Sequence, residues 1–265
     1  LSIQFGIIGG GVMGEALLSR LLAQGVYQPE EVLVSDPQTQ RRDMLAELYG
    51  VQITADNQAV IAAPVLLLAI KPQVFDAVVN QLESRNSSQL VLSIMAGVTL
   101  QRLQSAFPGQ PIVRSMPNTP ATVGAGMTAI APGQFAQPEH MQLAQRIFAA
   151  VGEVAEVSEG LLDAVTGLSG SGPGYVAVMI EALIDGGVAA GLPRAIATQL
   201  AIQTVRGTAD LLQTKGIHPA QLKDQVTSPG GTTIAGIARL EQAGFRSAVI
   251  EAVRAACQRS QELGQ

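Results

Sequence analysis

Over the first 160 positions, short and mainly apolar runs alternate with stretches in which apolar residues recur every three or four positions. The runs at 3–8, 31–35, 52–54, 65–70, 90–94, 111–115, 126–131 and 153–157 read as strands. Unbroken runs such as 65–70 suit parallel strands covered on both faces. Helical periodicity is expected over 15–24, 39–49 and 139–151. From Gly160 onward the strands stop, and helices are expected over 175–190, 194–215, 219–226, 232–242 and 245–263. This order predicts an α/β Rossmann-type N-terminal domain, 1–160, followed by an all-α C-terminal domain, 161–265.

The helical part is rich in alanine and poor in charge, and about 105 residues barely suffice to bury such helices alone. A subunit interface is therefore expected, making this a dimerisation domain. Gly186 and Gly187, inside the helix at 175–190, are expected to let another helix approach. Composition narrows the partners. Of 265 residues 47% are hydrophobic and 14% charged, with a net charge of −5, no basic run and few aromatics, so no nucleic acid is expected as partner. The single cysteine, Cys257, excludes an intrachain disulfide and a cysteine-based zinc site, and fits a reducing, cytoplasmic setting. His140 and His218 are too few and too far apart in sequence for a metal cluster, so no metal is expected. No apolar run reaches the ~20 residues of a membrane span, and the N-terminus has neither a basic region nor a cleavage site, so neither a membrane nor a signal peptide is expected.

The chemistry starts after the first run. Gly9-Gly-Gly-Val-Met-Gly14 follows a strand and opens a helix, the context in which G-x-G-x-x-G binds a dinucleotide. Gly9 makes the tight turn, Gly11 lets the main chain approach a pyrophosphate, and Gly14 lets helix pack on strand. Asp36 ends the second strand. It either bonds the ribose 2′-hydroxyl of NAD or serves as a helix N-cap or turn residue. Arg41 and Arg42 either pair with the 2′-phosphate of NADP or lie on a solvated helix face. Lys71 stands at the carboxyl end of a buried strand, where ligands bind in open α/β sheets, or is simply a surface lysine. Asn118, between prolines, either contacts a ligand or satisfies its turn.

Residues 163–175 hold four glycines and a proline within 167–174, with Ser169 and Ser171 between them. They read as a hinge between domains or as a loop meeting a ligand there. The loop Ser228-Pro-Gly-Gly-Thr-Thr233 runs into a helix with no strand before it. Its amides and hydroxyls favour a carboxylate or phosphate, unless Thr232 or Thr233 simply caps the helix.

These motifs, together with Lys71-Pro72, Met116-Pro-Asn-Thr-Pro120, Thr166-Gly-Leu-Ser-Gly-Ser-Gly-Pro-Gly-Tyr175 and Gln221-Leu-Lys-Asp224, resemble the pyrroline-5-carboxylate reductase family over nearly the whole chain. The resemblance implies NADPH- or NADH-dependent reduction of a cyclic imino acid, Δ1-pyrroline-5-carboxylate, to L-proline. It also implies a homodimer that extends in some members to a decamer of five dimers. By position, Ile8, Gly9, Gly10, Gly11, Val12, Met13 and Gly14 would line the cofactor. So would Asp36, Asn57, Ala69, Ile70, Lys71 and Pro72, then Ile94, Met95 and Ala96, and Gln225 from the helical domain. Ser228, Gly230, Gly231, Thr232 and Thr233 would hold the substrate carboxylate, and the Thr233 hydroxyl would face the ring nitrogen as the catalytic group. Asp36 stands where NADPH-preferring members often have a small hydroxyl residue, which leaves the coenzyme preference open. Gly216 stands where some animal members carry an acidic residue, so no role is given to it.

The residues themselves also favour an imine. Reducing a carbonyl needs a positioned proton donor. Here there are three lysines, Lys71, Lys215 and Lys223, and no Gly-x-x-x-Lys follows the Ser-Gly-Ser-Gly stretch. A protonated imine is instead neutralised by the hydride itself. Two alternatives remain: a reductase of 2-oxo or 3-hydroxy acids, and a nucleotide-sensing module without turnover.

Overall fold

A computed structural model of the chain describes residues 2–83 and 88–264. The chain packs as two compact units, one of Leu1–Ser171 with Arg254–Gln265, the other of Gly172–Val253.

The first unit carries one eight-stranded sheet. Its strands are β1 (Phe5–Ile8), β2 (Val32–Ser35), β3 (Gln52–Thr54), β4 (Val65–Leu68), β5 (Leu90–Ser93), β6 (Ile112–Met116), β7 (Gly126–Pro132) and β8 (Gly152–Glu156). The order is β3-β2-β1-β4-β5-β6-β7-β8. The first six strands are parallel, β7 is antiparallel to β6, and β8 is parallel to β7. The order 3-2-1-4-5-6 is that of a dinucleotide-binding sheet, with the strand order switching between the parallel neighbours β1 and β4. The helices of this unit are α1 (Val12–Ala23), α2 (Thr39–Tyr49), α3 (Asn57–Val60), α4 (Phe75–Val79), α5 (Leu100–Ala106), α6 (Pro138–Ala149) and α7 (Leu162–Val165).

Alternate strand residues enter opposite layers, as the two-residue period requires. Phe5, Ile7, Val34, Leu67 and Leu92 pack with Leu17 and Leu21 of α1, Leu45 of α2 and Phe148 of α6. Ile8, Leu66, Leu68, Val91 and Ile112 pack with Val60 of α3, Phe75 of α4 and Leu103 of α5. Full burial stabilises each such side chain by roughly 1.5–3 kcal/mol relative to exposure.

The second unit is helical: α8 (Gly172–Ala189), α9 (Arg194–Lys215), α10 (Pro219–Gln225), α11 (Thr232–Gln242) and the first half of α12 (Phe245–Leu263). Gly187 delivers the expected close approach, since a Cβ there would lie 3.1 Å from that of Ala197, whereas Gly186 faces open space within the chain. Among the described residues of this unit only Ala197 and Ala201 are buried. Val178 is 67% exposed, Leu200 53% and Leu183 48%, so one copy of this unit has no apolar core of its own.

The α/β first part and the helical second part are as expected, and most element ends agree to within two or three residues. One local expectation needs correction. Residues 166–174 are not a loop: Thr166–Gly170 form a π-helical turn, closed by the Ser171 N–H donating to the Thr166 carbonyl at 2.8 Å, and α8 starts at Gly172. The border between the two units falls inside this stretch. The short helices α3, α4, α5 and α7 carry too few turns for a periodic pattern to register. No described helix is long and apolar enough to cross a membrane.

Candidate active site

The strand registers bring the carboxyl ends of β2, β1, β4 and β5 to one edge: Ile8 pairs with Ser35 and with Leu68, and Leu68 with Ser93. The main chain continues that alignment past the strands. The Gly9 N–H donates to the Ser35 carbonyl at 2.8 Å, Ala69 N–H to Ile8 at 2.9 Å, and Ile94 N–H to Leu68 at 3.2 Å. Residues 8–14, 69–72 and 94–96 therefore lie side by side along this edge.

The glycine turn is shaped by steric demands. Gly9 has φ +103°, and a Cβ on it would sit 2.5 Å from the Ala69 carbonyl oxygen. A Cβ on Gly14 would strike the Gly9 carbonyl and lie 3.3 Å from the Ala69 Cβ, so only glycine lets α1 seat against the turn. Gly11, which precedes α1, has nothing within 4 Å of its Cβ position and supplies no side-chain cap. A helix start without a side-chain cap keeps its first amides for other acceptors, and such a start suits an anion.

Asp36 holds this turn from the side. It is 9% exposed, and its Oδ2 accepts from the Gly10 N–H at 3.0 Å while its Oδ1 accepts from the Gln38 N–H at 2.9 Å. It caps a turn, as one of its two readings held, but not the helix: the residue preceding α2 is Gln38. The two arginines are half-buried and bonded to their own surroundings. Arg41 Nε donates to the Gly10 carbonyl, and its Nη2 pairs with Glu15 Oε2 at 2.5 Å. Arg42 Nη1 donates to the Asp36 and Pro37 carbonyls at 2.8 and 3.0 Å. Glu15 also accepts from the Tyr49 hydroxyl at 2.8 Å. Burial works to raise the Glu15 carboxyl, but the bonds from Tyr49 and Arg41 outweigh it and hold the group below its ordinary value. Nothing in the sequence pattern pointed to Glu15 or Tyr49, which meet only because α1 and α2 are neighbours on one layer.

Of the other expected residues, Asn57 begins α3, where its Oδ1 accepts from the Ser35 hydroxyl at 2.6 Å and its Nδ2 donates to Gln81 at 2.8 Å. Lys71 is exposed just beyond β4, beside the half-buried Ala69 and Ile70. Met95 is buried and Ala96 exposed. Asn118 is satisfied by its own surroundings: its Oδ1 accepts from the Met127 N–H at 2.8 Å, and its Nδ2 donates to the Ser169 carbonyl and hydroxyl at 3.2 and 3.3 Å. It thereby ties the turn after β6 to the π-helical turn.

In the second unit, Gln225 ends α10, and the chain turns through Gly230 at φ +66° into α11. The Gly231 N–H donates to the Ser228 carbonyl at 3.0 Å, closing the turn. The residue that precedes α11 is Gly231, with no side-chain cap, so neither threonine caps this helix. Ser228 and Thr232 are exposed and Thr233 is half-buried. Both histidines serve as helix caps. His218 Nδ1 accepts from the Ala220 N–H at 3.2 Å and His140 Nδ1 from the Gln137 N–H at 2.9 Å.

Two family models match the chain: pyrroline-5-carboxylate reductase dimerisation over residues 159–263, and NADP oxidoreductase, coenzyme F420-dependent, over residues 4–97. A pyrroline-5-carboxylate reductase of Synechocystis sp. is 62% identical over 265 residues, covering 100% of this chain and 99% of its own length. The chain belongs to the pyrroline-5-carboxylate reductase family. A family member from Methanosarcina acetivorans is 45% identical, with 98% of each chain covered. Among solved structures, the pyrroline-5-carboxylate reductase of Coxiella burnetii superposes with a TM-score of 0.92 at 35% identity, covering 99% of both chains. The Plasmodium falciparum pyrroline carboxylate reductase, solved with NADP bound, gives 0.89 at 30% identity, covering 99% of this chain and 98% of its own. This chain is accordingly an oxidoreductase with the fold of that family, a Rossmann-type sheet followed by a helical dimerisation domain.

Proposed function

We propose that this chain reduces the C=N bond of 1-pyrroline-5-carboxylate to give L-proline, with NADPH or NADH as reductant. Support comes from the family and from one observation above all: two helices, α1 and α11, start from a glycine with no side-chain cap, which suits each start to an anion. The residues at the first of these starts fit a dinucleotide. Gly11 and the amides of Val12 and Met13 would hold the diphosphate, Asp36 and Asn57 would meet the adenosine ribose, and residues 69–72 and 94–96 would line the nicotinamide end. Gln225 would complete the coenzyme contacts from the second unit. When bound, the reduced nicotinamide supplies a hydride.

The second start would take the substrate carboxylate between Ser228 and Thr232, on the amides of Gly230 and Thr232 and the Ser228 hydroxyl, with the Gly231 N–H held by the Ser228 carbonyl. The Thr233 hydroxyl would bond the ring nitrogen and fix the ring plane. Hydride addition to the carbon of a protonated C=N discharges the nitrogen, so no carbonyl-type proton donor is required. With both histidine Nδ1 atoms engaged in capping, orientation carries the rate, worth up to roughly 7–11 kcal/mol in the best cases. In the proposed assembly two copies join through the helical unit, and mass measurement distinguishes this dimer from a decamer of five dimers. The proposed compartment is the cytoplasm.

The deciding experiment follows NADPH and NADH oxidation with 1-pyrroline-5-carboxylate and with a 2-oxo acid, for wild type and Thr233→Ala. The imine alone should be reduced. The variant should lose roughly tenfold or more in kcat with unchanged coenzyme affinity. Turnover of the oxo acid, or coenzyme binding with no turnover at all, would favour one of the two alternatives, and an unaltered kcat would remove Thr233 from the mechanism.

A further inference from the structure

The end of α12 belongs to the first unit and lies against the turn that follows β5. Gly97 sits in that turn with φ +75°, and a Cβ on it would lie 3.2 Å from the Leu263 carbonyl oxygen and 3.6 Å from the Gly264 nitrogen. The reverse holds too: a Cβ on Gly264 would lie 3.3 Å from the Gly97 carbonyl oxygen. Two glycines thus meet main chain to main chain, with no side chain between them. Met95 and Val98 anchor the turn on its apolar side, at 2% and 0% exposure. On the other side lies a cavity of about 310 Å³ lined by Gly97, Thr99, Arg114, Asp163, Gln261 and Gly264. On that side the tail is the turn's neighbour.

The tail is itself held by a polar clasp. The Ser260 hydroxyl, 5% exposed, donates to Asp163 Oδ1 at 2.6 Å, a charge-assisted bond on a nearly buried donor. Gly264 N–H closes the helix end onto the Ser260 and Gln261 carbonyls, both at 3.2 Å. The floor beneath is fixed separately. Arg114 Nη1 pairs with Glu159 Oε1 at 2.9 Å, and that oxygen also accepts from the Leu100 N–H.

We propose that Ser260 and Asp163 are positioning residues for the reduction: their bond pins the end of α12 on Gly97 and so sets the height of residues 94–97 against the coenzyme. This rests on the reading above that residues 94–96 line the nicotinamide end. Neither residue touches the reacting atoms. They act through the main chain of residues 263 and 264.

The test compares the full-length protein with four variants by equilibrium binding of NADPH and of NADH and by steady-state kinetics. Ser260→Ala removes the clasp, and Gly264→Val, at an exposed position, crowds the Gly97 carbonyl and pushes the tail off the turn while the Ser260 hydroxyl is kept. Each should raise the coenzyme Kd and KM roughly three- to tenfold, the size expected for one lost hydrogen bond, with a smaller change in kcat. Ser260→Thr keeps the hydroxyl and should restore most of the affinity. Ala96→Phe, in the turn itself, checks the underlying placement. If Ala96→Phe weakens coenzyme binding while Ser260→Ala and Gly264→Val leave it unchanged and shift only the melting temperature, the clasp is merely structural and the proposal is overturned. If Ala96→Phe also leaves binding intact, the turn does not meet the coenzyme, and the placement falls together with the clasp.

Discussion

In the proposed reading Asp36 meets the adenosine ribose of the coenzyme, and Asp36→Ser isolates that role. Its carboxylate accepts one N–H on each oxygen, from Gly10 and Gln38, which leaves a lone pair on each for a ribose hydroxyl. A 2′-phosphate would arrive at about 5 Å from the same charge. At an effective dielectric constant near 20 the repulsion is about 3 kcal/mol per unit charge. Salt and solvation of the phosphate roughly halve it, leaving about 1.5 kcal/mol, or slightly more than tenfold. The substitution also weakens the support of Gly10, at about 1 kcal/mol, but that loss strikes both coenzymes alike. The quantity to measure is therefore the ratio of kcat/KM for NADPH to that for NADH, in wild type and Asp36→Ser, at 0.15 M salt. The ratio should rise about tenfold in the variant, and the rise should shrink in 1 M salt. A ratio unchanged within twofold would place the adenosine ribose away from Asp36 and refute the electrostatic reasoning.

Two further outcomes follow from the same contacts. Glu15 is held below its ordinary pKa by Tyr49 and Arg41 against the opposing effect of burial, so it stabilises the folded state at neutral pH and that contribution fades as pH falls through its folded value. Glu15→Gln should lower the melting temperature at pH 7 by an amount matching about 0.5–1 kcal/mol, and the gap to wild type should close by pH 3, while a gap independent of pH would show that charge plays no part. Leu200→Glu and Val178→Glu place a carboxylate on the exposed apolar helices of the second unit, and light scattering should show the assembly falling to monomers; a wild-type mass for both would locate the interface elsewhere.

Strand and helix periods were legible wherever an element was long enough to repeat its pattern, which is why α2, α9, α11 and α12 match their expected limits and the four-residue α3 and α7 went unseen. The glycine-rich stretch at 166–174 misled for a different reason. Glycine density signals a close approach but not the backbone that makes it. Here a Cβ on Gly170 would meet the Met116 side chain at 2.9 Å, so the glycine serves packing within a helical turn instead of a loop. The roles of Asp36 and Asn118 depended on partners 26 and 51 residues away along the chain, which no local pattern encodes. The two glycine-led helix starts, at α1 and α11, were legible because each is a local motif, glycines running into a helix. A site built of main chain is announced by its glycines, whereas the side chains that brace it, such as Glu15, Tyr49, Asp163 and Ser260, are ordinary surface-compatible residues. Their meaning comes only from the neighbours that the fold brings to them.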